Sequence, residues 1–244
     1  AKHKKQKITL TASAKQATRS PQAHTRNEDL WQHIANNLTI NIYLNKALNK
    51  RILWYTKQPK YLQIVSARAA PYLYHIVSKI EQRKLPMELA LLPFVESDFR
   101  PTVSSSEHNS GEGRVKRAIA ENKKRGKSTD YWSLKLPKET SEYVPKLMAL
   151  SYLIQNPQHG LYRPKLANKA LTTELNVGQQ FDFSVIANLS GIGRSQLHKL
   201  NPGYLKNQSS PNGPHTLLLP LQQQSLLSSQ FFKNNFTGEY TVKK

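Results

Sequence analysis

The longest uncharged apolar run in this chain is seven residues, Leu89 to Val95, and it ends directly on an acid, Glu96. A membrane-spanning helix needs about 20 consecutive apolar residues, so the sequence predicts amphipathic elements around a modest core. The 244 residues allow one or two compact units at roughly 100–200 residues per domain. A hydrophobic fraction of 38% fits that class. Apolar positions recur at helical spacing through the first two thirds of the chain. Asn27-Glu28-Asp29 reads as a helix start, followed by Leu30, Trp31, Ile34, Leu38 and Ile42. A second helix covers about 71–84 and closes on Lys79, Arg83 and Lys84. Pro86 suits the first turn of a third, running from Met87 to about Phe99. Residues 102–113, with Ser104, Ser105, Ser106, Asn109, Ser110 and Gly111, read as loop. Further helices cover 114–124 and 139–153, joined by an extended Ser133–Pro137 connector.

From about 157 the texture changes, with Pro, Asn, Gln and Ser rising, and a domain boundary is expected between 157 and 172. Beyond it, residues 183–200 read as two short helices around Gly191-Ile192-Gly193, and Leu217–Pro220 reads as a strand. The fold class is therefore mainly α, followed by a small α+β module.

Charge narrows the partners. Thirty-six Lys and Arg against 15 Asp and Glu give a formal net charge of +21, which implies an anionic partner. Nucleic acid and anionic cell-wall polymer both qualify. The basic residues are scattered and no nucleic-acid motif accompanies them, so no specific nucleic-acid partner is expected. Residues 1–27 hold seven cations, no acid and little to bury, and are expected to be disordered. The absence of Cys excludes disulfides, thiolate metal sites and cysteine nucleophiles.

Glu96 is the residue with chemistry in prospect. Apolar surroundings and the negative end of a helix both disfavour an ionised carboxyl. A carboxyl kept protonated near neutral pH is what a general acid for glycosidic cleavage requires. The alternative is a solvent-facing Glu that ends a helix. Asp98 lies only two positions on, and no other acid is an obvious partner, so the choice is a one-carboxylate mechanism or no chemistry.

Four stretches carry a family resemblance: Pro71–Val77, Leu85–Phe99 (Leu-Pro-Met-Glu-Leu-Ala-Leu-Leu-Pro-Phe-Val-Glu-Ser-Asp-Phe), Asn109–Val115 and Trp132–Lys146. In these the chain resembles the membrane-bound lytic murein transglycosylase D family. The resemblance covers about 30–157 closely and 165–221 more loosely. It implies a lysozyme-like helical domain over 28–157 and a small LysM-like module over 165–221. Residues 222–244 would be a linker and the opening of a LysM. The family cuts the MurNAc–GlcNAc β-1,4 bond of peptidoglycan without water and leaves a 1,6-anhydro end. By resemblance Glu96 is the sole catalytic acid and base. Ser97, Asn109, Gly111 and Tyr143 match substrate-binding positions, and Gly113 would let the backbone approach the glycan. No metal or cofactor is implied. The resemblance places the protein in the periplasm or cell envelope of a Gram-negative bacterium, as a monomer with peptidoglycan as partner and peripheral membrane association open to it.

Two departures shape the functional expectation. Ser104-Ser105-Ser106 runs almost directly into Glu107-His108-Asn109, so the family's Gly-Leu-Trp-Gln-Phe element and the helix after it are absent, an internal deletion near 106–108. Trp31-Gln32 does not replace it, and His108 stands where the family has Tyr. Loss of that segment predicts a catalytic activity reduced by orders of magnitude and apolar surface left open on the remaining helices. The alternative function is a non-catalytic peptidoglycan-binding remnant. At the far end, Gly238–Lys244 resembles only the opening of a LysM, so no complete repeat is expected there.

Overall fold

The computed structural model describes residues 6–8, 29–100, 111–178, 180–224 and 238–240. In chain order the elements are β1 (Gln6–Ile8), α1 (Leu30–Asn37), α2 (Lys46–Thr56), α3 (Tyr61–Gln82), α4 (Leu92–Glu96), α5 (Gly111–Lys124), α6 (Lys138–Gln155), β2 (Thr172–Asn176), α7 (Phe183–Ser190), α8 (Arg194–Leu200), β3 (Thr216–Pro220) and β4 (Gly238–Tyr240). They divide into a helical unit, Asp29–Ala69 with His75–Ala167, and a second unit made of Ala1–Glu28, Ala70–Tyr74 and Asn168–Lys244. The architecture is a mainly α domain followed by a small α+β module.

The helical unit is built on the apolar stripes of α1, α3 and α6. Leu30, Trp31 and Ile34 of α1, Leu62 and Val65 of α3, and Leu150, Leu153 and Ile154 of α6 are all buried. Trp31 is fully enclosed. Its indole Nε1 donates to Ser66 Oγ at 3.1 Å, and its ring stands 5.2 Å from that of Phe94, so one side chain joins α1, α3 and α4. The unit closes on itself where Leu166 N donates to Asp29 Oδ1 at 2.6 Å and Leu30 N donates to Leu166 O at 2.7 Å.

Helix α1 stops at Asn37 instead of reaching Ile42, and the reason is a buried acid. Glu88 is 2% exposed, and its Oε1 accepts the amides of Thr39 at 2.6 Å and Ile40 at 2.7 Å. Those amides point at a carboxylate in place of the preceding turn's carbonyls, and the chain leaves α1 extended at Leu38. Helix α2 has no counterpart in the sequence reading. It starts where the Asn45 side chain accepts the amide of Leu48 at 2.9 Å. Helix α3 is longer than expected, starting at Tyr61 and carrying Pro71 inside it. The buried row Leu62, Val65, Ala69, Val77 and Ile80 outweighs the one hydrogen bond the proline removes. The stretch from Met87 to Phe99 is not one helix. Residues Met87–Leu91 form a 3₁₀ turn, with Pro93 in the first turn of the short α4 that follows.

In the second unit β2 and β3 pair antiparallel, Thr172 opposite Pro220 and Asn176 opposite Thr216. Between them α7 and α8 supply Phe183, Ile186, Ala187 and Leu197 to a core with Val177, Phe181, Ile192, Leu217 and Leu219. The two short helices and the 217–220 strand match the sequence reading. Gly191 takes the left-handed conformation (φ 69°) that ends α7. Asn201 fastens α8 to the sheet: its Nδ2 donates to Leu197 O and Leu218 O, and its Oδ1 accepts from Leu218 N at 2.7 Å. The basic N-terminal segment, expected to be disordered, needs correction at Gln6–Ile8. These three residues pair antiparallel with Gly238–Tyr240. A backbone ladder satisfies amides and carbonyls without needing apolar side chains, which composition alone does not register. The rest of 1–27 lies outside the described residues.

Candidate active site

Glu96 is the last residue of α4, and the turn behind it is sharply folded. Ser97 N and Phe99 N both donate to Pro93 O, at 3.2 and 3.3 Å. Asp98 and Phe99 then take left-handed backbone angles, φ 51° and 53°. Such angles cost an L-residue energy, least for Asp and Asn among those with side chains. Helix α3 holds this turn from below. Tyr61 Oη lies 2.9 Å from Asp98 Oδ1 and 3.0 Å from Phe94 O, and Arg68 Nη1 donates to Asp98 O at 3.2 Å. The Phe99 ring packs edge-on to Phe94 at 4.8 Å. Burial, with the neighbouring Tyr55 and Asp98, pushes the Tyr61 phenol far above its ordinary range, so it remains a donor.

Opposite this turn, α6 presents Tyr143, whose hydroxyl donates to Glu96 Oε1. Burial, then the bond to Glu96 and the charge of its carboxylate, raises the Tyr143 phenol well above the usual tyrosine range. It therefore stays protonated at every pH at which a carboxyl titrates. The preceding residue, Glu142, pairs with Arg51 of α2 at 2.7 Å, with the arginine 17% exposed. That bond ties α6 to α2 next to the tyrosine.

The structure thus joins two of the expected site residues, Glu96 and Tyr143, which lie 47 positions apart. It corrects the expected setting of the acid, because Glu96 is exposed. The desolvation part of the general-acid argument fails, since the apolar side chains of Phe94 and Leu91 turn inward while the helix ends with its acid outside. Ser97 does not reach toward Glu96. Its hydroxyl points back to Pro93 O at 3.4 Å, as a helix-ending residue does. Asn109 lies outside the described residues. Gly111, read as loop, opens α5, so the helix begins three residues earlier than the sequence suggested. A Cβ added at Gly113 would meet nothing within 4 Å, which leaves the backbone there open to approach. Sequence reasoning missed Tyr61, Arg68, Arg51 and Glu142. Tyr61 and Arg68 are seven residues apart, one face of a helix, but nothing local links that face to a turn 30 residues later. Among the described residues there is no cluster of three or more His, Asp or Glu side chains that could hold a metal ion.

With this geometry in hand, comparisons with known proteins become specific. Membrane-bound lytic murein transglycosylase D of Escherichia coli (strain K12) is 30% identical over 251 residues, covering 79% of this chain and 56% of the relative. The protein of the same name from E. coli O6:H1 matches to the same extent. Residues 172–230 match the family described as Lytic transglycosylase MltD, LysM-like domain. The chain belongs to the membrane-bound lytic murein transglycosylase D family. It spans about half the length of the curated relatives it matches. Seventy-nine per cent of 244 residues is about 193, so about 58 of the 251 aligned positions, the difference, have no counterpart in this chain.

Proposed function

We propose that this chain is built for non-hydrolytic cleavage of the MurNAc–GlcNAc β-1,4 bond of peptidoglycan, at the cell envelope of a Gram-negative bacterium and as a monomer. The observation that supports it is the donation from Tyr143 to Glu96, which fixes one carboxylate oxygen of an exposed acid. In the reaction the protonated Glu96 gives its proton to the glycosidic oxygen as the C1–O bond breaks. The resulting carboxylate takes the proton of the muramoyl C6 hydroxyl, whose oxygen closes on C1. A 1,6-anhydro ring forms, no water is consumed, and the acid is restored. Tyr143 orients the carboxyl throughout. Asn109, Gly111 and Gly113 are the proposed sugar contacts, and Ser97 serves the turn.

Cleavage of this kind depends on holding the sugar in a near-attack geometry, worth roughly 7–11 kcal/mol of a barrier. The family segment read from the sequence as missing near 106–108 would supply part of that positioning surface, and the proposed activity is accordingly orders of magnitude below that of a relative with the whole segment. Incubation with purified sacculi, read by mass spectrometry for 1,6-anhydromuropeptides, tests the reading. Glu96→Gln should abolish whatever product the parent gives. Product that survives this substitution would refute the assignment of the acid, and a rate matching a full relative would refute the role given to the missing segment. The second reading, a non-catalytic peptidoglycan-binding protein, draws support from the exposure of Glu96 and from Leu53, Trp54 and Ile64 standing exposed on α2 and α3. Sacculus binding without any anhydro product, equal in the parent and Glu96→Gln, would favour it.

A further inference from the structure

Between α5 and α6 the chain makes a 3₁₀ turn, Tyr131–Ser133, whose two aromatic residues are placed differently. Tyr131 is half-buried, and its hydroxyl donates to Thr140 O at 2.6 Å, near the start of α6. Trp132, the next residue, is 46% exposed, and its ring meets that of Tyr131 edge to face at 5.6 Å. The turn is fixed by polar side chains. Asp130 Oδ1 accepts the amides of Trp132 at 2.9 Å and Ser133 at 3.2 Å. Asp130 Oδ2 accepts the hydroxyls of Ser128 at 2.5 Å and Ser133 at 2.6 Å. The buried Asn122 of α5 donates through Nδ2 to Ser128 O at 2.8 Å and to Ser133 O at 2.9 Å. The backbone under Trp132 is therefore held on both sides. Its tether leads to the candidate acid. Thr140 and Tyr143 are three residues apart and share one side of α6, and Tyr143 donates to Glu96. Tyr131 thus fastens the turn to the stretch of α6 that carries the partner of Glu96.

We propose that Trp132 is a glycan-contacting residue of the Glu96 site, holding one pyranose ring of the strand against the face of its indole. The assignment rests on the glycan-cleaving reading of Glu96 and adds a contact to it. The axial C–H groups of a β-linked pyranose make an apolar, weakly positive face, which complements the negative face of an aromatic ring. Indole offers the widest such face among side chains, with only two torsions to fix on binding. Ordering the backbone beneath it costs nothing further, because Asp130 and Asn122 have already done so. A single exposed apolar residue is ordinary on a protein surface. Trp132 is set apart by its hydrogen-bonded connection, through Tyr131 and Thr140, to the turn that bears Tyr143. A strand cut at Glu96 continues in both directions from the broken bond, and a rigid aromatic tied to the same helix is where a neighbouring sugar can be gripped.

The test is calorimetric titration of the whole chain, carrying Glu96→Gln to prevent turnover, with peptide-free MurNAc–GlcNAc oligosaccharides. Trp132→Ala should weaken binding by about tenfold, the factor expected of a partly exposed aromatic anchor. Trp132→Phe keeps a flat ring and should stay within about threefold of the parent. Tyr162→Ala removes another exposed aromatic of the helical unit, 59% exposed, and should change binding less than about twofold. Circular dichroism checks that each variant is folded. Unchanged binding by Trp132→Ala would overturn the proposal, as would a parent chain that binds no glycan. A phenylalanine variant as weak as the alanine variant, or an equal loss in Tyr162→Ala, would show that no sugar stacks at position 132 and overturn it too. A larger loss in Trp54→Ala than in Trp132→Ala would move the glycan to α2 and do the same. Binding and cleavage fail separately. If the chain with Glu96 restored yields no anhydro product but Trp132→Ala still loses affinity, the chemistry assigned to Glu96 falls and the contact stands. If product forms and Trp132→Ala changes neither rate nor affinity, the contact falls and Glu96 stands.

Discussion

Substitutions at Asp98 separate two forces that hold the turn behind Glu96. Asp98 contributes a carboxylate oxygen 2.9 Å from Tyr61 Oη and a backbone at φ 51°. A hydrogen bond to a charged group contributes about 1.5–3 kcal/mol when buried. Asp98 is 34% exposed, so solvent screening brings that to about 1–2 kcal/mol. Left-handed backbone costs an alanine roughly 1–2 kcal/mol and glycine almost nothing. Asp98→Ala loses the bond and adds a left-handed backbone cost that Asp largely avoids, for an expected loss of about 2–3 kcal/mol. Asp98→Gly loses the bond but not the conformation, for about 1–2 kcal/mol. Asp98→Asn retains an acceptor and tolerates the angle, and should stay within about 1 kcal/mol of the parent. The Arg68 bond goes to the Asp98 carbonyl and survives in all three. Urea unfolding followed by tryptophan fluorescence suits the measurement, because Trp31, Trp54 and Trp132 all belong to the helical unit. A glycine variant less stable than the alanine variant would refute the left-handed turn. An asparagine variant as damaged as alanine would refute the Tyr61 contact.

Two further outcomes are expected. Glu88→Ala strands the Thr39 and Ile40 amides and should cost the helical unit about 3–5 kcal/mol in urea unfolding, whereas Glu88→Gln, still an acceptor, should cost less than half of that; equal costs would show that the amides are not what Glu88 serves. The phenols of Tyr55, Tyr61 and Tyr143 are all raised by burial, so the fold keeps them protonated while the unfolded chain ionises near pH 10. Their contribution is fully present below that pH and is lost as pH rises above it. The urea midpoint should accordingly fall steeply from pH 9.5 to 11.5, about where free tyrosine titrates, and Tyr61→Phe should flatten the fall; an unchanged slope would mean that Tyr61 is not held protonated.

The alternation of helical stripes, the change in texture near 157, the two short helices around Gly191 and the strand at Leu217–Pro220 were all legible in the sequence. Each depends on near neighbours: apolar spacing, a capping residue, a proline or a glycine. The same local signals singled out Glu96, at the end of the longest apolar run. What the sequence could not determine came from partners far along the chain. Helix α1 ends at Asn37 because Glu88, about 50 positions away, captures two of its following amides. The helix leading to Glu96 is cut short by a turn that Tyr61 and Arg68 hold from α3. The acid faces solvent because that turn comes where it does, while Phe94 takes the inward position. Tyr143 meets Glu96 only because α6 packs beside α4. Propensity and periodicity act over a few residues, but the direction of a side chain at a helix end depends on which distant donor reaches the turn. Tertiary packing alone settles that.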